Sequence, residues 1–168
     1  GYGHYVALTS AGVLQATFYS NNTGTLIGAI NISGGVNLVS NTWAHVAVSY
    51  DGATYRFFVN GVLQNTLSSA TTITATSEID IGQRAGTQAT GYQWVGYISN
   101  FRYVTGAALY TANFTPTTSP LSAAATGTTR VLYCQSNRFV DNSASPYTFT
   151  ISGTPSVQAF SPFAPQYQ

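Results

Sequence analysis

The sequence predicts an all-β fold, an antiparallel sandwich of two sheets. Residues 41–67 alternate apolar and polar side chains with a period of two, and turn dipeptides interrupt them twice. A half-buried strand requires this period. About a dozen short strands of this kind, separated by turn residues, can be placed along the chain. No capped amphipathic helix and no internal repeat is found among them, which favours two packed sheets.

The central stretch is predicted to be a meander of three strands. Val46, Val48 and Tyr50 alternate with small or polar neighbours in the first strand. Asp51-Gly52 follows this strand, and Asn60-Gly61 follows the second. Asp-Gly and Asn-Gly tolerate the positive φ that tight hairpin turns demand. The three strands are therefore expected to pair in antiparallel order.

Further strands are predicted on both sides of the meander, each bounded by turn residues. They cover residues 4–9, 13–20, 26–32, 73–81, 94–105, 130–136, 147–152 and 157–160. The alternation breaks near Ser99 and Asn100, which predicts a bulge. The Thr-, Ser- and Pro-rich stretch 111–129 is interpreted as a surface crossing, because closing strands follow it. One domain is expected over residues 1–160, with 161–168 as a tail or a linker to a following module.

Five motifs between residues 41 and 150 occur in an order that is typical of one family. They are WAHVAVSYDG with FFVNG at 43–61, GYISNFR at 96–102, ALY with FTP at 108–116, VLYC at 131–134 and FVDNS at 139–143. Together they resemble laminin-G-like, concanavalin-A-like lectin/glucanase domains, of the kind found in phage tail fibres and bacterial surface adhesins. The resemblance implies a jelly-roll sandwich.

Members of this family usually begin with one or two strands before the point that corresponds to the predicted strand 4–9, so the resemblance also implies that the first strands are lacking here. Four explanations stay open: a fragment, a processed product, the ordered part of a longer protein, or a strand supplied by a neighbouring subunit. The last would cover an open sheet edge, which otherwise invites unwanted pairing.

The composition excludes several classes of partner. Charged residues make up 5% of the chain and the net charge is +1, whereas ordinary globular proteins carry about 25% charged residues. Nucleic acids and acidic membranes bind clustered Lys and Arg, so neither is an expected partner. Membrane insertion is not expected, since no apolar run approaches ~18 residues. The single cysteine, Cys134, is expected in a strand as a buried thiol. The profile suits an extracellular or virion-surface protein.

The acidic residues give catalysis little support. Glu78 and Asp80 share one face of a predicted strand, as do the acids of jelly-roll β-glucanases. A retaining glycosidase needs two carboxyls about 5 Å apart, and Gly82 and Gln83 stand where the third acid of the glucanase motif is expected. The two histidines are too few for a zinc site. The chain is therefore predicted not to be an enzyme, with a glycoside hydrolase as the disfavoured alternative.

Calcium is the metal that the resemblance brings into consideration, because many jelly-roll relatives hold Ca²⁺ with oxygen ligands. Asp141, Asn142 and Ser143 form an oxygen-rich cluster, to which Asp51 or Asp80 could add a carboxylate. A structural Ca²⁺ at Asp141 and Asn142 is one interpretation, and no cofactor is required. The alternative is an Asx-type turn, in which the Asp141 side chain bonds its own backbone.

The polar stretch 84–93 (RAGTQATGYQ) has no strand pattern and is the first candidate for a binding loop. Aromatic faces stack on the C–H faces of sugars, and amides bond their hydroxyls. The ligand-binding candidates are Arg84, Gln88, Tyr92, Gln93 and Trp94. The opposing interpretation is that aromatic residues fill the space between the sheets. This core interpretation is preferred for four other aromatic residues: Trp43, Phe57, Phe101 and Phe114.

Two functions of different classes stay open. The first is a non-catalytic recognition or adhesion module of a larger extracellular or virion protein, resembling a tail fibre, that binds a cell-surface glycan through loops at one end of the sandwich. The second is a structural or decoration subunit, whose Tyr-rich and nearly uncharged surface contacts neighbouring protein subunits. Both imply a larger chain or a homo-oligomer, and the fold does not decide between them.

Overall fold

The computed structural model describes residues 5–8, 13–19, 26–31, 42–71, 79–83, 93–136 and 138–163. Eight β-strands lie in this part of the chain, and every pairing between them is antiparallel. They are β1 (Tyr5–Leu8), β2 (Leu14–Tyr19), β3 (Leu26–Asn31), β4 (Val46–Tyr50), β5 (Thr54–Val59), β6 (Val62–Ser68), β7 (Phe101–Thr105) and β8 (Thr128–Tyr133). The predicted all-β fold is confirmed. No helix in the described residues is long and apolar enough to cross a bilayer.

The chain divides into two compact units. Unit 1 comprises Gly1–Val95 and Tyr110–Thr115, and unit 2 comprises Gly96–Leu109 and Pro116–Gln168. Of the described strands, β1 to β6 belong to unit 1, and β7 and β8 belong to unit 2. The single domain over residues 1–160, followed by a tail, stays a prediction.

Unit 1 contains two three-stranded sheets, in the orders β1-β2-β3 and β4-β5-β6. Alternate residues of β2 and β5 form one buried cluster, as the period of two requires. Its members are Leu14, Ala16, Phe18, Tyr55, Phe57 and Val59. The rings of Phe18 and Tyr55 stack at 4.2 Å between centroids, and Tyr50 stacks on Tyr55 at 4.0 Å. This cluster joins β2 to β5 and forms the apolar core of unit 1.

The second hairpin turn of the meander is the two-residue turn that its sequence predicts. Val59 pairs with Val62, and the residues between them, Asn60 and Gly61, have φ values of 50° and 78°. Positive φ at both positions matches the right-handed twist of the strands, and Asn and Gly tolerate it best. The first turn is longer than predicted: Tyr50 pairs with Tyr55, so Asp51 and Gly52 belong to a four-residue loop.

The last three residues of β5 are buried on both faces. Phe58 points away from the core cluster and is fully buried, because residues of Tyr110–Thr115 cover it. Its ring meets those of Tyr110 and Phe114, which stack on each other at 3.7 Å. The Phe114 N–H donates to the Gly61 carbonyl at 2.9 Å, and the Leu63 N–H donates to Asn113 Oδ1 at 2.8 Å. The segment is therefore attached to the β5–β6 hairpin by two hydrogen bonds as well as by aromatic packing.

Three predicted strands are wrong in whole or in part. Residues 94–100, 147–152 and 157–160 have no strand pairing, and strand structure begins only at Phe101. Asn100 has a φ of 57°, and its N–H donates to the Cys134 carbonyl while its side-chain oxygen accepts from the Leu121 N–H. This left-handed residue ends the extended run. The pairing irregularity lies between Tyr103 and Val104, later than predicted. Most of the predicted strand 73–81 falls outside the described residues.

A glycine in unit 2 provides a test of the turn geometry. Gly127 and Gly153 both have a φ of 73°. A Cβ on Gly127 would lie 2.7 Å from the Thr105 carbonyl oxygen, whereas a Cβ on Gly153 would meet nothing within 4 Å. Replacing either by alanine should cost about 1–2 kcal/mol of left-handed strain. Gly127→Ala should lose about 1 kcal/mol or more beyond this, because the Thr105 backbone must shift. Urea midpoints measure the difference, and equal losses would contradict this geometry.

Candidate functional site

The predicted binding loop is closed at its base by backbone pairing in unit 1. Gln83 and Gln93 form an isolated antiparallel bridge. Next to this bridge, the Trp94 N–H donates to the Gly82 carbonyl at 2.7 Å. Residues 84–92 lie outside the described residues, and we call Gly82, Gln83, Gln93 and Trp94 the loop base. Loops held in this way by a paired scaffold are common carriers of binding residues.

Two of the five predicted ligand-binding residues are described. Gln93 is exposed, and the Trp94 side chain is 41% exposed. Arg84, Gln88 and Tyr92 lie outside the described residues. A large exposed ring is uncommon among tryptophans, which are highly buried on average. Such a ring can stack on an apolar ligand face.

Asp141 lies in unit 2 and is buried, with 4% of its surface exposed. Its Oδ1 accepts hydrogen bonds from the N–H groups of Leu132 and Ser143, at 2.8 and 3.0 Å. Its Oδ2 accepts from the Ser143 hydroxyl and the Tyr147 N–H, at 3.0 and 2.9 Å. The bond from the Ser143 N–H makes the Asx turn that the sequence offered as one alternative. The bonds from Leu132 and Tyr147 extend it into a connection between three chain segments.

This donor set does not favour calcium at Asp141. A cation binds to carboxylate lone pairs, and here four N–H and O–H groups point at both oxygens. Asn142 contributes its backbone N–H to the Leu132 carbonyl at 2.8 Å. Among the described residues there is no group of three or more His, Cys, Asp or Glu side chains that could hold a metal ion. The calcium site at Asp141 and Asn142 stays a prediction, without support from this geometry.

Asp141 and Asn142 also act on the outer edge of β8. The Leu132 N–H donates to the Asp141 carboxylate, and the Leu132 carbonyl accepts from the Asn142 N–H. Both backbone groups of Leu132 are thus bonded in the way that a neighbouring strand would bond them. The Asp141 side chain therefore takes the place of a strand carbonyl at this point, and its role is structural.

Asp141 should make the stability of unit 2 sensitive to acid. Burial alone would raise the pKa of this carboxyl, but the hydrogen bonds from Tyr147, Leu132 and Ser143 outweigh it and hold the pKa below its ordinary value of 3.8. Because the folded pKa is the lower one, the stabilisation is fully present above about pH 4 and is lost as the pH falls through the folded pKa. Urea midpoints between about pH 2 and 6 should show a steeper decline for the wild type than for Asp141→Asn. Parallel pH profiles of the two proteins would contradict this contribution of the Asp141 carboxylate.

The remaining acids do not form a catalytic pair in the described structure. Asp51 bonds Arg56 at 2.6 Å and accepts the N–H groups of Ala53 and Thr54. The bond from Arg56 and those from the two N–H groups lower its pKa to about 2. Asp80 is exposed, and Glu78 lies outside the described residues. The Asp51 carboxylate thus forms its hydrogen bonds within its own turn and with the neighbouring Arg56.

The prediction that Cys134 lies in a strand is wrong, because this residue follows directly after β8. Its φ is 58°, and the thiol is half-buried. Burial raises its pKa to about 11, so the thiol is protonated at neutral pH. Tyr133 beside it has a buried hydroxyl without a hydrogen-bond partner in the described residues. Burial of that hydroxyl is also the first cause that raises the Tyr133 pKa.

Two structural partners escaped prediction from the sequence. One is Gln83, which pairs with Gln93; the only sign of this pairing in the sequence is that the two residues flank the polar stretch 84–92. No comparable signal links Leu132 to Asp141, because their contact depends on how the chain returns to the edge of β8.

Comparison with known proteins gives one family and one structural likeness. A model of the concanavalin A-like lectin/glucanases superfamily matches residues 1–112. A crystal structure of an S-layer domain-containing protein (residues 221–444) from Clostridium thermocellum is 17% identical, with a TM-score of 0.33. The match covers 67% of this chain and 59% of that one, so this chain spans less than two thirds of it. No curated protein matches the chain.

Proposed function

The chain belongs to the concanavalin A-like lectin/glucanase superfamily, and from this premise we propose that it is a non-catalytic recognition or adhesion module that binds glycan. The module is part of a larger extracellular or virion-surface protein and acts through the loop that leaves the loop base. The observation that carries the proposal is the exposed Trp94 ring at the loop base.

The Trp94 ring is exposed and can therefore stack on a sugar. The Trp94 backbone is held by the bond to Gly82 and by the bridge one residue earlier, so the ring is attached to paired backbone. Because this backbone is already paired, a ligand that stacks on the ring does not have to order it. The exposed ring thereby offers a flat apolar face on which a pyranose can stack.

The distribution of acids supports a non-catalytic role. The chain has four acids, and a glycosidase needs two of them facing one bond. The Asp141 carboxylate accepts four hydrogen bonds in a buried position, and Asp51 is bonded to Arg56. Glycoside hydrolysis would therefore depend on Glu78 and Asp80, and the third acid of the glucanase pattern is replaced by glycine or glutamine.

The second candidate is a structural subunit that contacts other protein chains. Unit 2 exposes several large apolar side chains on backbone without strand pairing: Tyr97, Tyr147, Ile151, Val157 and Phe160. Exposed apolar residues in such number favour contact with a protein surface. Under this candidate the module would act in an assembly or filament, with neighbouring subunits as its partners.

Replacing Trp94 by alanine should weaken glycan binding by about 2 kcal/mol, or roughly thirtyfold, since buried tryptophans dominate the energy of binding interfaces. Phe160→Ala is the matched control, because this ring is also exposed, at 51%, but lies in unit 2. A glycan array identifies the ligand, and calorimetry then compares the affinities of both variants. Equal binding by wild type and Trp94→Ala would contradict the site. Loss of self-assembly in Phe160→Ala, without any glycan binding by the wild type, would favour the structural candidate.

A further inference from the structure

The core of unit 1 is open along β1. Val6 of this strand faces Ala16 of β2, and Leu8 faces Leu14. Opposite residues of an antiparallel pair lie on the same side of the sheet, and both β2 residues belong to the buried cluster. Val6 and Leu8 therefore lie on the core side of the sheet, yet they are 47% and 44% exposed.

The other strands of unit 1 all add side chains to the core. β2 and β5 form the buried cluster, and half-buried residues of β3, β4 and β6 pack against it: Ile27, Val48, Tyr50 and Leu67. In the described residues, β1 is the strand of unit 1 that adds no side chain to either group. It is a terminal strand in the sheet order β1-β2-β3, and β3 at the other edge lies beside β6. The open side of the core is therefore the side of β1.

β1 also has the regular form of an edge that can accept a further strand. All four of its residues pair with β2 in one continuous register, without a bulge. Exposed edge strands are usually protected by Lys, Pro or a bulge, because their outer backbone groups otherwise bind further strands. The sequence of β1, Tyr-Val-Ala-Leu, contains neither Lys nor Pro. A strand paired to this edge would continue the sheet and place its own side chains beside Val6 and Leu8.

The strand that fits this edge is β1 of a second copy. An antiparallel pair of identical strands related by a two-fold axis is self-complementary, so a single contact covers two open edges. With Ala7 on the axis, Val6 of each copy faces Leu8 of the other, and both lie on the core side. The core sides of the two copies then form one continuous apolar surface. A strand from a different protein would cover one of these edges and leave the other open.

We propose that the protein forms a two-fold symmetric dimer through β1, with Ala7 on the symmetry axis. The two described sheets then join into one, in the order β3-β2-β1-β1-β2-β3. This dimer uses unit 1 alone and does not depend on glycan binding. Because β1 has four residues, the interface is small and the dimer dissociates on dilution.

Sedimentation velocity of the full chain in a dilution series should show a reversible change from the mass of two chains to that of one. Val6→Lys combined with Leu8→Lys should raise the dissociation constant about tenfold or more, because lysines would then face each other across the axis. Val62→Lys is the matched control, since Val62 is 50% exposed on β6, and it should stay within about twofold. Mixing the lysine variant with Val6→Glu combined with Leu8→Glu should restore a dimer, because each lysine then faces a glutamate.

Cross-linking tests the register. Opposite Cα atoms of an antiparallel pair lie about 4.5–5.5 Å apart, which a disulfide can span. In a Cys134→Ser background, Ala7→Cys should give a covalent dimer when copper phenanthroline and oxygen oxidise the two thiols. Val62→Cys in the same background should stay a single chain.

A wild type that sediments as one chain at every concentration would overturn the proposal. A dimer that the two lysines leave unchanged would show that another surface is used, and it would also overturn it. If the lysine variant does not fold, the cysteine variants decide: cross-linking of Val62→Cys without that of Ala7→Cys contradicts the β1 interface.

Discussion

Asp141→Ala should lower the stability of unit 2 by about 3–5 kcal/mol, the range seen when one partner of a buried polar network is removed. The substitution leaves the N–H groups of Leu132, Ser143 and Tyr147 and the Ser143 hydroxyl without the acceptor they share. The Leu132 and Ser143 donors lie in buried residues, so water does not fully replace the carboxylate. Urea denaturation followed by circular dichroism measures the loss.

Two further variants separate the effect of the network from that of a lost charge. Asp141→Asn keeps one oxygen acceptor but turns an amide group toward the donors. Its stability should therefore lie between those of the wild type and of Asp141→Ala. Asp51→Ala is the matched control, since Asp51 also accepts backbone N–H groups two and three residues ahead, yet is exposed to solvent. Asp51→Ala should lower the stability clearly less than Asp141→Ala does. Equal losses at the two aspartates would contradict a special role for Asp141.

Phe57→Ala should cost unit 1 about 3–5 kcal/mol, the usual loss when a buried phenylalanine is truncated. Phe57 is fully buried in the cluster that joins β2 to β5. Its neighbours lie in paired strands of both sheets, so they cannot close the cavity without disturbing the register. Thermal and urea denaturation should both show the decrease.

Phe57→Leu keeps the fold measurable if the alanine variant does not fold. It retains much of the buried volume, so a loss nearer 1–1.5 kcal/mol is expected, about that of a volume-conserving swap. Val62→Ala is the surface control: it lies on β6 of the same meander with 50% exposure and should stay within about 0.5 kcal/mol. A loss at Phe57 no larger than that at Val62 would show that the cluster is not the core of unit 1.

The meander could be predicted closely because its determinants are local. Alternation within β4 and β5 depends on neighbouring residues, and the Asn60-Gly61 turn depends on two residues that accept positive φ. The consecutive apolar residues Phe57, Phe58 and Val59 already indicate a strand that is covered on both sides. The residues that cover Phe58 could not be read from this pattern, since Tyr110 and Phe114 lie about fifty positions later.

In the later part of the chain, alternation of apolar and polar residues does not predict the strands correctly. Residues 147–152 and 157–160 alternate as strands do, yet strand formation needs a partner edge. At Leu132 the groups on the outer edge of β8 bond Asp141 and Asn142 instead. The oxygen-rich cluster at Asp141 was visible in the sequence, but whether it holds a cation or accepts N–H groups depends on the long-range position of Leu132. Trp94 as a ligand-binding residue stays a prediction; the structure adds that its ring is exposed.

The most direct test of the central claim is the fluorescence of Trp94 during titration with a glycan that the array identifies. The chain has two tryptophans, so Trp43→Phe leaves Trp94 as the sole indole emitter. Stacking of a sugar removes water from the ring, and a saturable blue shift or quench is expected, with the same affinity that calorimetry reports. Calorimetric binding without any change in Trp94 emission would contradict glycan recognition at the loop base.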